Sequence, residues 1–229
     1  MTVKPAAGMK ITVTENGPYV VEGSVPLARQ TIVTDDAGDS VDWLEGEPFD
    51  AGTSYRLCRC GQSDSKPFCD GSHARLGFDG TETASRSPYV EEARVRRGPT
   101  WNMTDLPSLC ASGRFCDPNG DAWHLVKQEG AEAAALTSRQ ACLCPSGRLV
   151  VWDKETNVAL EPTFEPSVGL IEDPSQGVAG PIWVRGGIPI TGADGETYEV
   201  RNRVTLCRCG GSNNKPFCDG THGEIGFTD

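Results

Sequence analysis

The chain has 229 residues, 37 % of them apolar, with 27 glycines, 16 prolines and a formal net charge of −11. That acidity argues against a nucleic-acid binder: the one cationic run, Arg94-Val95-Arg96-Arg97, reads as a solvated surface segment. No stretch approaches the roughly 20 apolar residues of a membrane span, and Met1–Lys10 lacks the apolar run of an export signal, so the expectation is no membrane and a reducing cytoplasm.

So small a core with so many turn residues calls for cross-links, and ten cysteines in a reducing compartment point to metal rather than disulfides. In chain order, Ile11–Leu27 carries Gly-Pro, a short β-rich run, a glycine and a second apolar run. Ser54–Leu57 reads as a strand leading into Cys58-Arg-Cys-Gly-Gln-Ser-Asp-Ser-Lys-Pro-Phe-Cys-Asp-Gly-Ser-His73. The next segment, 98–160, differs in character. It holds four cysteines, Cys110, Cys116, Cys142 and Cys144, a helix signal over Ala131–Ala141 that stops at Pro145, and a strand-like run Arg148–Trp152. His124 reads as structural or exposed. Glu161–Gly180, with three prolines and three glycines, reads as a connecting loop. Gly177–Ile190 then repeats the pattern of Ile11–Leu27, with Gly186-Gly187 as a bulge or turn, and a strand over Tyr198–Leu206 leads into Cys207-Arg-Cys-Gly-Gly-Ser-Asn-Asn-Lys-Pro-Phe-Cys-Asp-Gly-Thr-His222.

The two cysteine motifs align without gaps and match at twelve of sixteen positions. Neither repeat is large enough to bury a core alone. The expected fold is therefore mainly β with small α content (α+β): two β units, 1–97 and 161–229, pack as a pseudo-twofold pair and flank a small α+β insert at 98–160. The chain already holds both copies, so a monomer with an internal pseudo-dimer is expected.

In each motif the Cys-x-Cys pair can share one metal centre, and Gly61 and Pro67 let the chain turn back to Cys69. Asp70 suits a helix N-cap; a helix starting there sets Cys69 and His73 one turn apart. Three thiolates and one imidazole suit structural zinc or an iron–sulfur cluster. The pattern Cys-x-Cys-x2-Ser-x3-Pro-x-Cys-Asp-Gly-Ser/Thr-His resembles the signature of the CDGSH iron–sulfur, or mitoNEET-like, family. That resemblance implies a [2Fe–2S] cluster in each motif. Cys58 and Cys60 would hold the inner iron of the first and Cys69 and His73 the outer; Cys207 and Cys209, then Cys218 and His222, would do the same in the second. Around these, Ser63 and Ser212 can bond within the loop, Asp70 and Asp219 can orient neighbours, and Lys66 and Lys215 either place a positive charge near an anionic centre or face solvent. Phe68 and Phe217 are read as shields. A neutral imidazole in place of a thiolate implies a potential above the roughly −400 mV of all-cysteine plant-type clusters. It also implies loss of colour in acid, which His73→Cys or His222→Cys should slow at its own site.

The middle segment resembles the divergent single-cluster ferredoxins, on Cys110-Ala-Ser-Gly-Arg-Phe-Cys116 and Cys144-Pro-Ser-Gly-Arg-Leu149. Gly113 stands where a second ligand would be. Cys142 is expected to complete a [4Fe–4S] site; otherwise three cysteines hold a [3Fe–4S] cluster, and zinc or a metal-free core are the alternatives. No nucleophile–base pair or phosphate loop stands out, so an enzyme is not expected. The functions that remain are electron transfer or redox sensing with a redox partner protein, cluster storage or transfer to an apo-acceptor, and a structural zinc module.

Overall fold

The computed structural model describes residues 3–229; Met1 and Thr2, the start of the unit read as 1–97, lie outside it. The first part of the chain forms β1 (Lys10–Val13), β2 (Tyr19–Glu22), β3 (Leu27–Thr34), β4 (Ser40–Pro48), β5 (Ser54–Leu57) and the one-turn α1 (Ser72–Arg75). A middle part holds α2 (Tyr89–Glu92), β6 (Arg94–Arg97), β7 (Trp101–Asp105), α3 (Ala122–Leu125), α4 (Ala131–Leu143), β8 (Leu149–Asp153) and β9 (Ala159–Leu160). The last part adds β10 (Ser167–Asp173), β11 (Val178–Arg185), β12 (Ile190–Thr191), β13 (Arg203–Leu206) and α5 (Thr221–Glu224). The fold is mainly β with little helix, as expected.

Three sheets organise these strands, in the orders β12-β1-β2-β5, β13-β11-β10-β3-β4 and β6-β7-β8-β9. The first two are related copies. β1-β2-β5 corresponds to β10-β11-β13, each an antiparallel trio, and each trio takes its next strand from the other half of the chain. β12 runs parallel to β1, with Ile190 beside Ile11, and β3 runs parallel to β10, with Leu27 beside Val168. The turns Gly23-Ser24-Val25-Pro26 and Gly186-Gly187-Ile188-Pro189 make this exchange. Their first two residues are left-handed, with φ of 100° and 57° in one and 73° and 73° in the other, which glycine adopts at little cost. Each proline then offers its carbonyl across the join: Ile11 N donates to Pro189 O at 2.9 Å and Val168 N to Pro26 O at 2.8 Å.

The inward residues of both trios form one shared core. Ile11, Val21, Val168, Leu170, Ile182 and Val184 are fully buried in it, together with Leu57 and Leu206, the last residues before the two cysteine motifs. Burying each such side chain is worth roughly 1.5–3 kcal/mol. The motifs therefore start from the buried core that the two trios share.

Three readings are corrected. Glu161–Gly180 is not a connecting loop: it contains β10 and the start of β11. Its prolines, Pro162, Pro166 and Pro174, flank β10 instead of interrupting it, and Gly169 is needed within the strand because a Cβ there would lie 2.6 Å from Gln30 Cγ. Of Tyr198–Leu206 only Arg203–Leu206 is strand. Arg94–Arg97, placed in the first unit and exposed throughout, is the edge strand of the middle sheet, so the insert begins before residue 98.

The insert packs α3 and α4 on its sheet around Met103, Ala122, Val126, Ala141, Leu149 and Val151. The helix expected over Ala131–Ala141 is α4, and it ends just before Cys144-Pro145. Arg203, at the start of β13, clamps that end: its Nη2 donates to Ala141 O at 2.9 Å and its Nε to Cys144 O at 2.8 Å. No helix is long and apolar enough to cross a membrane among the described residues.

Candidate metal centres

Each cysteine motif doubles back on the strand that enters it. Cys58 N donates to Pro67 O at 2.8 Å and Cys69 N to Arg56 O at 2.9 Å; in the second copy Cys207 N meets Pro216 O and Cys218 N meets Thr205 O, both at 2.9 Å. The buried Ser63 and Ser212 hold the loop between, donating to Phe68 O at 2.6 Å and to Phe217 O at 2.7 Å. Asp70 ties two ends together: Oδ2 accepts from Asp64 N and Oδ1 from Ser72 N, both at 2.9 Å. Those hydrogen bonds hold its carboxyl well below the usual range. Asp219 does the same with Asn213 N at 2.8 Å and Thr221 N at 3.1 Å.

Asp70 is not the N-cap. That position is Gly71, left-handed at φ 88°, and its counterpart is Gly220 at φ 96°. Cys69 and Cys218 thus lie outside the helical turn, and the left-handed glycine swings the histidine back to the cysteine. Cys69 Sγ is 3.3 Å from His73 Nδ1, and Cys218 Sγ is 3.4 Å from His222 Nδ1. The inner pairs, Cys58 with Cys60 and Cys207 with Cys209, have their sulfurs 3.7 Å apart. Two sulfurs on one tetrahedral metal, with bonds of about 2.3 Å, sit about 3.8 Å apart, and a sulfur with an imidazole nitrogen about 3.5 Å. Each pair has the spacing to share one metal. Among the described residues no three Cys, His, Asp or Glu side chains converge on the position of a single ion. The eight donors are arranged as four pairs.

The two centres stand back to back. Cys60 and Cys209 form an antiparallel backbone bridge. Gly61 and Gly210 complete it: a Cβ on either would lie 2.5 or 2.6 Å from the carbonyl oxygen of the opposite cysteine. The wholly buried Tyr19 donates across the halves to Cys207 O at 2.8 Å and to Pro216 O at 3.0 Å.

Arg59 and Arg208, between the paired cysteines, did not stand out in the sequence. Alternation along an extended segment turns them away from the ligand side into the core. Arg208 donates to Gly180 O, Ile171 O, Glu172 and Asp229 at 2.5–3.0 Å, and Arg59 donates to Thr14 O at 3.0 Å and to Gly80 O. The repeated Cys-Arg-Cys was the available signal. Lys215 Nζ, half-buried, donates to Ser212 O at 2.7 Å, bracing the loop rather than facing open solvent. Phe217 packs edge-on to Tyr198 and Phe68 to Tyr55.

The environments differ. Cys69 and His73 are half-buried, whereas Cys218 and His222 are 3 % and 5 % exposed. Burial, then the Arg208 charge, lowers His222 to about 4, and burial raises the Cys218 thiol. The hydrogen bond between the Cys207 and Cys209 thiols holds Cys207 below the usual thiol range and raises Cys209. Backbone N–H groups of Gly211 and Gly220 approach Cys209 Sγ and Cys218 Sγ, each at 3.4 Å.

In the insert, Cys110, Cys116 and Cys144 line one cavity with Pro145 and Arg148. Ser112 and Arg114 in its loop are left-handed, with φ of 53° and 59°. Alternation of hand in a short loop gathers N–H groups into an anion-binding concavity, as at many iron–sulfur sites. Burial, then Asp117 and the neighbouring Cys144, pushes the Cys116 thiol up. Cys142 is not brought to this cavity: its sulfur faces Leu160 O at 3.7 Å. His124 is exposed on α3. All ten cysteines are free of disulfides.

The family model described as iron-binding zinc finger, CDGSH type, matches the chain twice, at residues 16–74 and 179–223. Those spans contain both sets of paired donors, and the protein is a tandem CDGSH iron–sulfur protein. No curated protein and no solved structure matches the chain.

Proposed function

We propose that the chain is a multi-centre redox protein that exchanges single electrons with a partner protein, or senses redox state, through two 3Cys:1His [2Fe–2S] centres and a third cluster in the insert. The carrying observation is the arrangement of each donor set as two pairs, 3.7 Å and 3.3–3.4 Å apart, which suits two adjacent tetrahedral irons. Cys58, Cys60, Cys69 and His73 would hold the first and Cys207, Cys209, Cys218 and His222 the second; each supplies one-electron chemistry when bound. The chain's own part is to present the histidines through Nδ1, to keep water from the inner sulfurs, and to brace the loops through Arg59, Arg208, Asp70 and Asp219. For the insert the cavity favours three thiolates, Cys110, Cys116 and Cys144, over the four-cysteine set. That suits a [3Fe–4S] cluster or a [4Fe–4S] cluster with one iron ligated from elsewhere.

Iron and sulfide analysis with EPR of the reduced protein tests this. About seven or eight irons with matching sulfide supports three clusters, and about four leaves the insert empty. A colourless, zinc-containing protein overturns the reading. The half-buried Cys69 and His73 favour a second reading, transfer of a cluster to an apo-acceptor, which would appear as gain of cluster by the acceptor.

A further inference from the structure

The two CDGSH centres are built from nearly the same sequence, yet two segments close over the second alone. The insert loop presses on its left-handed glycine: a Cβ on Gly220 would lie 2.5 Å from Ser112 Oγ and 3.4 Å from Cys110 O. Beside it, Asn214 Nδ2 donates to Ser108 O at 2.8 Å. From the chain ahead of the insert, Thr83 N and Ala84 N donate to Lys215 O at 2.8 and 2.9 Å, and Thr83 Oγ1 donates to Asn213 O at 2.7 Å. Arg114 pins the insert loop by donating to both Asp173 oxygens, at 2.5 and 3.2 Å, and to Ser175 Oγ at 2.9 Å. At the first motif the equivalent glycine, Gly71, has nothing within 4 Å of where a Cβ would be.

We propose that the 108–114 loop is a cover for the second centre, so that the repeats divide their work: the first centre is exchangeable and open to an external acceptor, and the second is retained. This rests on the cluster reading above. In exchange at the first centre the metal bonds to the outer Cys69 Sγ and His73 Nδ1 break first and those to Cys58 and Cys60 next, with four thiolate or imidazole donors of the acceptor replacing them. Protons lost by the incoming thiols are taken up by the released Cys58, Cys60 and Cys69 thiolates, any excess passes to solvent, His73 leaves as a neutral imidazole, and no electron changes hands. The same substitution at Cys218 and His222 requires the loop to lift first.

The test is removal of the [2Fe–2S] colour by EDTA from the full-length, loaded chain. Two phases are expected. The variant Cys58→Ser with Cys60→Ser should keep only the slow phase, and Cys207→Ser with Cys209→Ser only the fast one. In the otherwise intact chain, Arg114→Ala removes a charge-assisted pair and should speed the slow phase by about tenfold or more. It should leave the fast phase unchanged, and Arg114→Lys should recover part of the difference. Equal rates at the two centres of the loaded chain, or an Arg114→Ala effect on both phases alike, overturns the cover and leaves the cluster reading standing. A chain that holds neither iron nor sulfide overturns that reading and the cover with it.

Discussion

Between the inner cysteines of each motif a guanidinium is carried into the core, and its partners are mostly backbone carbonyls. Arg208 also meets Glu172 and Asp229. Removing one member of such a buried set strands the others, so Arg208→Ala should lower the unfolding free energy by about 3 kcal/mol, read from denaturant unfolding. Arg59→Ala, with fewer partners, should cost less. In the insert the side-chain directions separate two cysteines that are neighbours in sequence. Cys144→Ser should remove iron from the central site and Cys142→Ser should leave it in place, as measured by iron per chain. Spacing alone could not separate them, because the order of residues leaving a helix does not say which sulfur faces a cavity. The two CDGSH motifs were legible for the opposite reason: the motif repeats, and its cysteines and histidine are close in sequence.

At the level of elements, the strands around the motifs were partly legible and their partners were not. Alternating apolar residues mark β1, β2 and β5 as strands, but they do not say that β3 leaves for the other sheet, since a strand's period is the same whichever neighbour it takes. β10 was hidden by its flanking prolines and by Gly169. The contact between the two motifs depends on two glycines in a left-handed conformation. Gly61→Ala adds the cost of positive φ, about 1–2 kcal/mol, and sets a methyl group 2.5 Å from Cys209 O. Gly38→Ala, at φ 87° with nothing within 4 Å, carries the backbone cost alone. Thermal unfolding should show Gly61→Ala to be the more destabilising, with iron lost from both centres rather than from the first only.

For the whole molecule, the exchanged strands mean that neither half owns a complete sheet. A fragment comprising residues 161–229 would leave β10 without β3 along one edge. It should fail to give dispersed amide NMR signals, whereas mixing it with the remainder of the chain should restore them. The intact chain supplies both halves and should scatter light as a monomer. The overall class and the twofold repeat were expected from the sequence. The cover over one centre was not, because it depends on where a loop of the insert comes to rest.

The backbone bridge between Cys60 and Cys209 has a thermodynamic consequence. In the cluster reading, metal bound in one loop also holds in place the cysteine against which the other loop packs. The two centres then exert reciprocal linkage: whatever factor the first gains in affinity from occupancy of the second, the second gains from the first. Reconstitution with limiting iron and sulfide should give more doubly filled chains than a statistical mixture, while a chain with one centre removed still fills the other at lower affinity.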